Sequence, residues 1–431
     1  MKILFINLPY YGHVVPTIGL VQELIKKGCQ VTYALPFDWE TRIEGSGATF
    51  LGYENHKELS SQIRNAYKAA EKVIEEYDLV IYEQFFFLGK HLAEKYDKPV
   101  VRIFTAPVTN EKLMYEYVNA GGALGIFKHK WIGKIWTKKV AKGIPLKTDC
   151  WLSEIVQNPT ELNLVYTSEE YQPYVNEFPK SKYKFLGASV YDRKETFSDL
   201  EKKERPLIYI SLGTIVNSAV PFFRKCMEAF QDEEVDVIMS VGKKIKLEKL
   251  GEIPRNFLIY NTVSQQAVLK KADVFVTHGG MNSVSEAMVE GVPMVVIPFM
   301  EDQPTNARRV CELGLGKKLE YKNITSEMLR ETVWDVLKDD TISECVIRMK
   351  EKMSKCLGNK GGADVEMAVM DEFDFEDKHY VVGAVVKDDT IMDDGRYIYQ
   401  SIETEDGFTV EKIKREFDYN CIAKAYMEME E

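Results

Sequence analysis

Short apolar runs alternate with amphipathic stretches of helical period along most of this chain. In the first half the runs fall at Ile3–Leu8, Gln30–Ala34, Leu79–Tyr82, Val100–Phe104, Asn163–Tyr166 and Tyr183–Leu186. Runs of that length, enriched in β-branched residues and separated by helix-period segments, predict a parallel sheet covered by helices, the α/β class. Residues 193–206 interrupt the pattern with a polar, aperiodic stretch that predicts a linker. The alternation then resumes at Leu207–Ser211, Val235–Ser240, Phe257–Tyr260, Val274–Thr277 and Met294–Ile297. Two facing sheet-and-helix domains are therefore expected, at 1–192 and 207–371. In open sheets of this kind ligands sit beyond the carboxyl ends of the strands, which makes the cleft between the halves the expected site. Beyond about residue 371 the period changes. Phe373–Val386 and Arg396–Ile402 alternate as antiparallel strands do, with turns at Asp393-Asp394-Gly395 and Glu405-Asp406-Gly407, and 417–429 reads as a helix. Residues 372–431 are thus predicted to form a small acidic α+β domain.

Charge sharpens that division. The chain carries a net charge of -11 over 431 residues, but 372–431 alone holds 17 Asp/Glu against 7 Lys/Arg. The body before it is nearly neutral, so the tail is an acidic appendage for solubility or docking. No basic field of the kind nucleic acid requires is present, and no nucleic-acid partner is expected. The seven cysteines stand singly with no CxxC pair, which reads as reduced thiols, no metal site and a cytoplasmic location. The N-terminal Ile3-Leu4-Phe5-Ile6 is too short for a signal-peptide core and reads as a first strand.

Chemistry concentrates in one stretch, Thr277-His278-Gly279-Gly280-Met281-Asn282-Ser283-Val284-Ser285-Glu286, followed by Asp302-Gln303. A buried strand, a glycine turn and a helix start make an anion site, because unpaired backbone N–H groups and the helix dipole face the ligand. Ser283-x-x-Glu286 also has capping-box spacing, which predicts that the helix opens at Ser283. Near the N-terminus, Gly12-His13-Val14-Val15-Pro16 follows the first strand, placing His13 before a helix expected to begin near Pro16.

These two motifs, in this order, resemble those of family 1 UDP-dependent glycosyltransferases, and within them the bacterial macrolide-type enzymes. The resemblance runs from Met1 to about residue 371 and implies a GT-B fold, with an acceptor-binding first domain and a donor-binding second one. It implies an inverting transfer of a hexose, glucose foremost, from a UDP-sugar to a hydroxyl of a small hydrophobic acceptor. By the same resemblance His13 is the general base and Glu83 its orienting carboxylate, one methylene longer than the usual aspartate. The loop Ser211-Leu212-Gly213-Thr214 then faces the diphosphate, with His278, Gly280, Asn282 and Ser283. Glu286 takes the ribose hydroxyls unless it closes the capping box, and Asp302 and Gln303 read the sugar. Val263 and Gln265 lie where the family's uracil-stacking Trp-x-Pro-Gln runs. Here that segment is Thr262-Val263-Ser264-Gln265, so the indole is missing, and dTDP stands beside UDP as a candidate. No cofactor or metal is expected.

Residues 128–142, Lys-His-Lys-Trp-Ile-Gly-Lys-Ile-Trp-Thr-Lys-Lys-Val-Ala-Lys, are open to two readings. Trp131, Ile132, Ile135, Trp136 and Val140 fall near one helical face among six lysines. That face either packs inward beside the acceptor or lies peripherally on an anionic membrane, which would make the enzyme a lipid glycosyltransferase. A sugar-nucleotide-binding module with little transfer is the remaining alternative, prompted by Glu83 and the missing tryptophan.

Overall fold

The computed structural model describes residues 1–189, 205–213, 219–356, 358–360 and 362–364, with the strands 392–393, 397–404 and 407–414. The first domain contains β1 (Lys2–Ile6), β2 (Gln30–Pro36), β3 (Thr49–Tyr53), β4 (Leu79–Glu83), β5 (Val100–Phe104), β6 (Leu162–Val165) and β7 (Tyr183–Phe185). All pairs are parallel, in the order β3-β2-β1-β4-β5-β6-β7. The second domain contains β8 (Leu207–Ser211), β9 (Asp236–Ser240), β10 (Phe257–Tyr260), β11 (Val274–Thr277), β12 (Met294–Val296) and β13 (Gly316–Lys318). Its parallel order is β10-β9-β8-β11-β12-β13. These are two Rossmann-like domains of the GT-B type.

Both sheets are buried on both faces, as parallel sheets must be. Period-two alternation divides the strands between two cores. Leu4, Ile6, Val80 and Tyr82 join one, while Ile3, Phe5, Leu79 and Ile81 join the other. The second domain closes around Ile208, Ile210, Val237, Phe275, Val284 and Val295. Strand order reverses between β1 and β4 in one sheet and between β8 and β11 in the other. Each reversal opens a crevice at the strand ends, and both sequence motifs lie at such crevices.

Two strands lack a readable apolar signal. β3 is a half-buried edge strand interrupted by Gly52, and β13 is Gly-Lys-Lys at the opposite edge of its sheet. After the helix Asp340–Ser354 the chain returns to the first domain. Ala363 enters the core around Ile3 and Phe5, and Asp364 pairs with Lys27. In the acidic tail, Met392–Asp393, Tyr397–Thr404 and Gly407–Lys414 form an antiparallel sheet, with Thr404 opposite Gly407. The expected strands at 373–386, the helix at 417–429 and most of the 193–206 linker lie outside the described residues.

Candidate active site

The first half of the site is built at the ends of β1 and β4. The helix after β1 runs Tyr11–Lys26, so His13 sits inside its first turn rather than ahead of a helix beginning at Pro16. Pro16 stands in the second turn of this helix, where its missing N–H forgoes one intrahelical bond. Glu83 ends β4 and is fully buried, with Oε1 at 3.0 Å from His13 Nδ1. The longer glutamate side chain is accommodated by a second contact, in which its Oε2 accepts from the Phe85 N–H at 3.0 Å. Thr105, just past β5, completes the group. Its Oγ1 lies 2.8 Å from His13 Nδ1 and 3.1 Å from Glu83 Oε1. The geometry fits Nδ1–H donating to the carboxylate. Burial disfavours the imidazolium, but the charge and hydrogen bond of Glu83, with the charges of Asp302 and Glu301, outweigh it. The His13 pKa is raised above its ordinary value as a result.

The second half lies at the ends of β8 and β11, where Thr277 pairs in register with Ser211. His278 is buried, and its Nδ1 has no protein hydrogen-bond partner. Burial lowers its pKa to about 4, so the ring is neutral near pH 7. Two glycines make room for it. A Cβ on Gly213, where φ is 68°, or on Gly280 would each lie 2.5 Å from the imidazole. Thr214 lies outside the described residues. Gly280 is the N-cap of the helix Met281–Glu290, without a side-chain cap bond, so the expected capping box does not form. Ser283 is already inside the helix, because the glycine turn leaves the chain in helical geometry at Met281. Glu286 is instead held by Gln265, whose Nε2 donates to its Oε2 at 2.7 Å and to Ser283 Oγ at 3.3 Å. Gln265 is the first residue of the helix Gln265–Leu269, capped by Ser264, and Val263 and Tyr260 pack against the second-domain core. Asp302 precedes the helix Gln303–Glu312, and burial raises its pKa to about 6. Gln303 is 1% exposed and its Oε1 accepts from Phe299 N–H at 2.9 Å, which leaves only its amide NH2 for a ligand.

The halves meet across the cleft. Asn282 Nδ2 donates to the Gly12 carbonyl at 3.2 Å, linking the two motifs. In a regular helix the Gly12 carbonyl would accept from residue 16, but residue 16 is proline and offers no N–H. Pro16 therefore frees the acceptor that Asn282 occupies. Val15, Pro16 and Thr105 face Asn282, Ser285 and Glu286 across a small cavity. Tyr171 of the first domain donates to Asn306 Oδ1 at 3.1 Å, and Asn306 Nδ2 in turn donates to Gly279 O and to Asp302 Oδ2. Glu116 and Arg308 form a two-pronged ion pair at 3.0 and 2.9 Å.

Comparison with known proteins identifies the family. Residues 187–354 match the family model "UDP-glucoronosyl and UDP-glucosyl transferase". The chain is 35% identical to the NDP-glycosyltransferase YjiC of Bacillus subtilis, over 85% of this chain and 96% of that one. It belongs to the UDP-glycosyltransferase family. At 25% identity it is also similar to the oleandomycin glycosyltransferase of Streptomyces antibioticus, over 83% of this chain and 88% of that one. Among solved structures, the calicheamicin glycosyltransferase CalG4 is similar with a TM-score of 0.71 and 26% identity, covering 86% of this chain and 98% of that one. The chain is accordingly a UDP-sugar glycosyltransferase related to bacterial natural-product enzymes.

Three residues of this glycosyltransferase's cleft escape a reading of its motifs: Thr105, Asn306 and Tyr171. Thr105 carries no motif, and only the pairing of β4 with β5 brings it to Glu83. Asn306 stands one helical turn after Asp302, a spacing that could have marked it. Tyr171 is visible only in three dimensions. The basic segment also departs from expectation. The helix Lys130–Val140 buries Gly133, Thr137 and Val140, while Trp131 and Ile135 point outward, so the five apolar residues do not share one packed face. Phe85 meets His13 edge-on at 4.9 Å, and Trp151, Trp136 and Phe127 extend an aromatic wall behind it. Among the described residues no cluster of three His, Cys, Asp or Glu could hold a metal ion, and no helix is long and apolar enough to cross a membrane.

Proposed function

We propose that the chain transfers a hexose, glucose foremost, from a UDP-sugar to a hydroxyl of a small hydrophobic acceptor, with inversion at the anomeric carbon. The observation that carries this reading is the arrangement of His13. Its Nδ1 is tied to Glu83 and Thr105, and the charges of Asp302 and Glu301 in the donor half act on the ring. A carboxylate on Nδ1 fixes the tautomer that leaves Nε2 basic, and this is what removal of an acceptor proton requires. As the hydroxyl oxygen attacks the anomeric carbon, its proton passes to His13 Nε2. The bond from the anomeric carbon to the diphosphate oxygen breaks on the opposite face, and the configuration inverts.

The leaving diphosphate needs charge stabilisation. The start of the helix Met281–Glu290, the Asn282 and Ser283 donors, and a neutral His278 with an unpartnered nitrogen supply it. Gly213 and Gly280 keep that imidazole in place. Glu286, with Gln265 holding one carboxylate oxygen, suits the paired ribose hydroxyls, and Asp302 with Gln303 suits the sugar. Val263 lies where the base edge would rest. With these donors in place, transfer is expected to proceed in EDTA. The aromatic wall from Phe85 to Trp151 supports an apolar acceptor. The reading is tested by incubating the protein with UDP-glucose and a panel of phenolic and macrolide acceptors. A β-glycoside and acceptor-dependent release of UDP are expected. An α-linked product would refute inversion, and release of UDP at the same rate without acceptor would refute transfer.

A further inference from the structure

The helix Lys130–Val140 has one face packed and one face open. Gly133, Thr137 and Val140 are buried, and Trp136 rests on Trp151 at 5.1 Å. On the open face Trp131 and Ile135 are each 63% exposed, with Ile126 of the preceding turn at 58%. Lys130, Lys134 and Lys138 recur every fourth residue beside them, so cations and apolar side chains run as adjacent stripes. Residues 128–142 contain six lysines and no Asp or Glu in a chain of net charge -11. Lys134 reaches Asp149 at 2.5 Å and Lys139 lies 3.9 Å from Glu58. Lys128, Lys130, Lys138 and Lys142 have no carboxylate partner among the described residues.

We infer that this face docks on an anionic lipid surface. Exposed tryptophan and isoleucine flanked by unpaired lysines combine an apolar insertion edge with a cationic collar. Anionic headgroups over acyl chains complement both, whereas a polar acidic protein would leave the apolar stripe unmatched. The position of the helix gives the docking a consequence. The turn before it, Gly122–Lys128, meets the second domain where Ala123 N–H donates to Glu301 at 3.1 Å, beside Asp302. Its packed side, through Trp136 and Trp151, continues the wall that ends at Phe85 and His13. The docked face therefore borders the acceptor half of the cleft, and a lipophilic acceptor would enter from the surface. That consequence rests on the functional reading above, while the docking does not.

The test is co-sedimentation of the full chain with vesicles of phosphatidylcholine alone and of phosphatidylcholine mixed with phosphatidylglycerol, at low and high salt. Binding is expected only with phosphatidylglycerol and is expected to weaken with salt. Replacing Lys130 and Lys138 by Gln should lower the partition coefficient roughly thirtyfold, about fivefold for each lysine. The Trp131→Ser, Ile135→Ser double variant should lower it about tenfold or more. Unfolding temperatures matching the parent's would show that both variants fold. Absence of phosphatidylglycerol-dependent binding, or equal binding by both variants, overturns the proposal. So does a dimer that these substitutions convert to monomer, since the face would then be covered by a second copy. Transfer to a water-soluble phenol, measured without vesicles, separates the two readings. Vesicle binding without transfer would refute the function and leave the docking standing.

Discussion

At the scale of single residues, the site depends on what Glu83 does to His13. The glutamate raises the imidazole pKa by its charge and hydrogen bond, against a burial that acts the other way. Only neutral imidazole is a base, so activity should rise with pH and level off above a pKa higher than the ordinary 6.5. Replacing Glu83 by Gln removes the charge and leaves burial. The acid limb of the kcat/KM profile should then move to lower pH, while the plateau falls by about 10²–10⁴-fold, the range of a lost acid–base device. An unmoved limb would show that Glu83 does not govern the base. The glycines around His278 make a second prediction. A Cβ on Gly280 would lie 2.5 Å from the imidazole Nε2. Gly280→Ala must displace the ring at a cost of about 1–3 kcal/mol. Weakened UDP binding by calorimetry and a lower unfolding temperature are both expected.

At the scale of elements, much of the architecture was legible because parallel strands buried on both faces produce continuous apolar runs. Eleven such runs coincide with observed strands to within a residue or two at each end. β3 and β13 were not legible. An edge strand carries less apolar signal, and Gly316-Lys317-Lys318 carries almost none. The two helix starts were misplaced for a shared reason. Pro16 and Ser283 look like opening residues by local rules, but each lies inside a helix that has already begun, one directly after extended Tyr10 and the other directly after Gly279-Gly280. The pairing of His13 with Glu83 was legible only through family resemblance, since nothing local in Tyr82-Glu83-Gln84 points to a histidine 70 residues away. Thr105 had no signal at all. Pro16 offers an element-scale test. Pro16→Ala restores an N–H that competes with Asn282 for the Gly12 carbonyl. The helix should gain stability, up to about 3 kcal/mol if the interior penalty of proline applies in full. The donor KM should rise as the bond across the cleft weakens. Unchanged KM in the variant would show that Asn282 does not need that carbonyl.

At the scale of the whole molecule, the domains are held by contacts of unequal worth. The Glu116–Arg308 pair is partly solvent-exposed, with Arg308 43% accessible, and exposed pairs of this kind contribute about 0–1 kcal/mol. The Tyr171–Asn306 bond is fully buried, and its loss would leave the Asn306 carbonyl oxygen without a partner, at about 1–3 kcal/mol. Arg308→Ala should therefore shift the unfolding temperature much less than Tyr171→Phe. Tyr171→Phe should also raise the donor KM, because Asn306 holds both Asp302 and the Gly279 carbonyl. Equal effects of the two substitutions would mean that the ion pair, not the buried relay, fixes the cleft.

The central claim is that His13 acts as the base opposite an independently formed donor site. It is tested most directly by comparing the parent chain with His13→Ala in EDTA, measuring UDP affinity by calorimetry and acceptor-dependent UDP release from UDP-glucose. The account predicts that the variant binds UDP as the parent does and that its release falls by at least about 10²-fold. Release at the parent's rate would contradict it, as would nucleotide affinity lost together with activity.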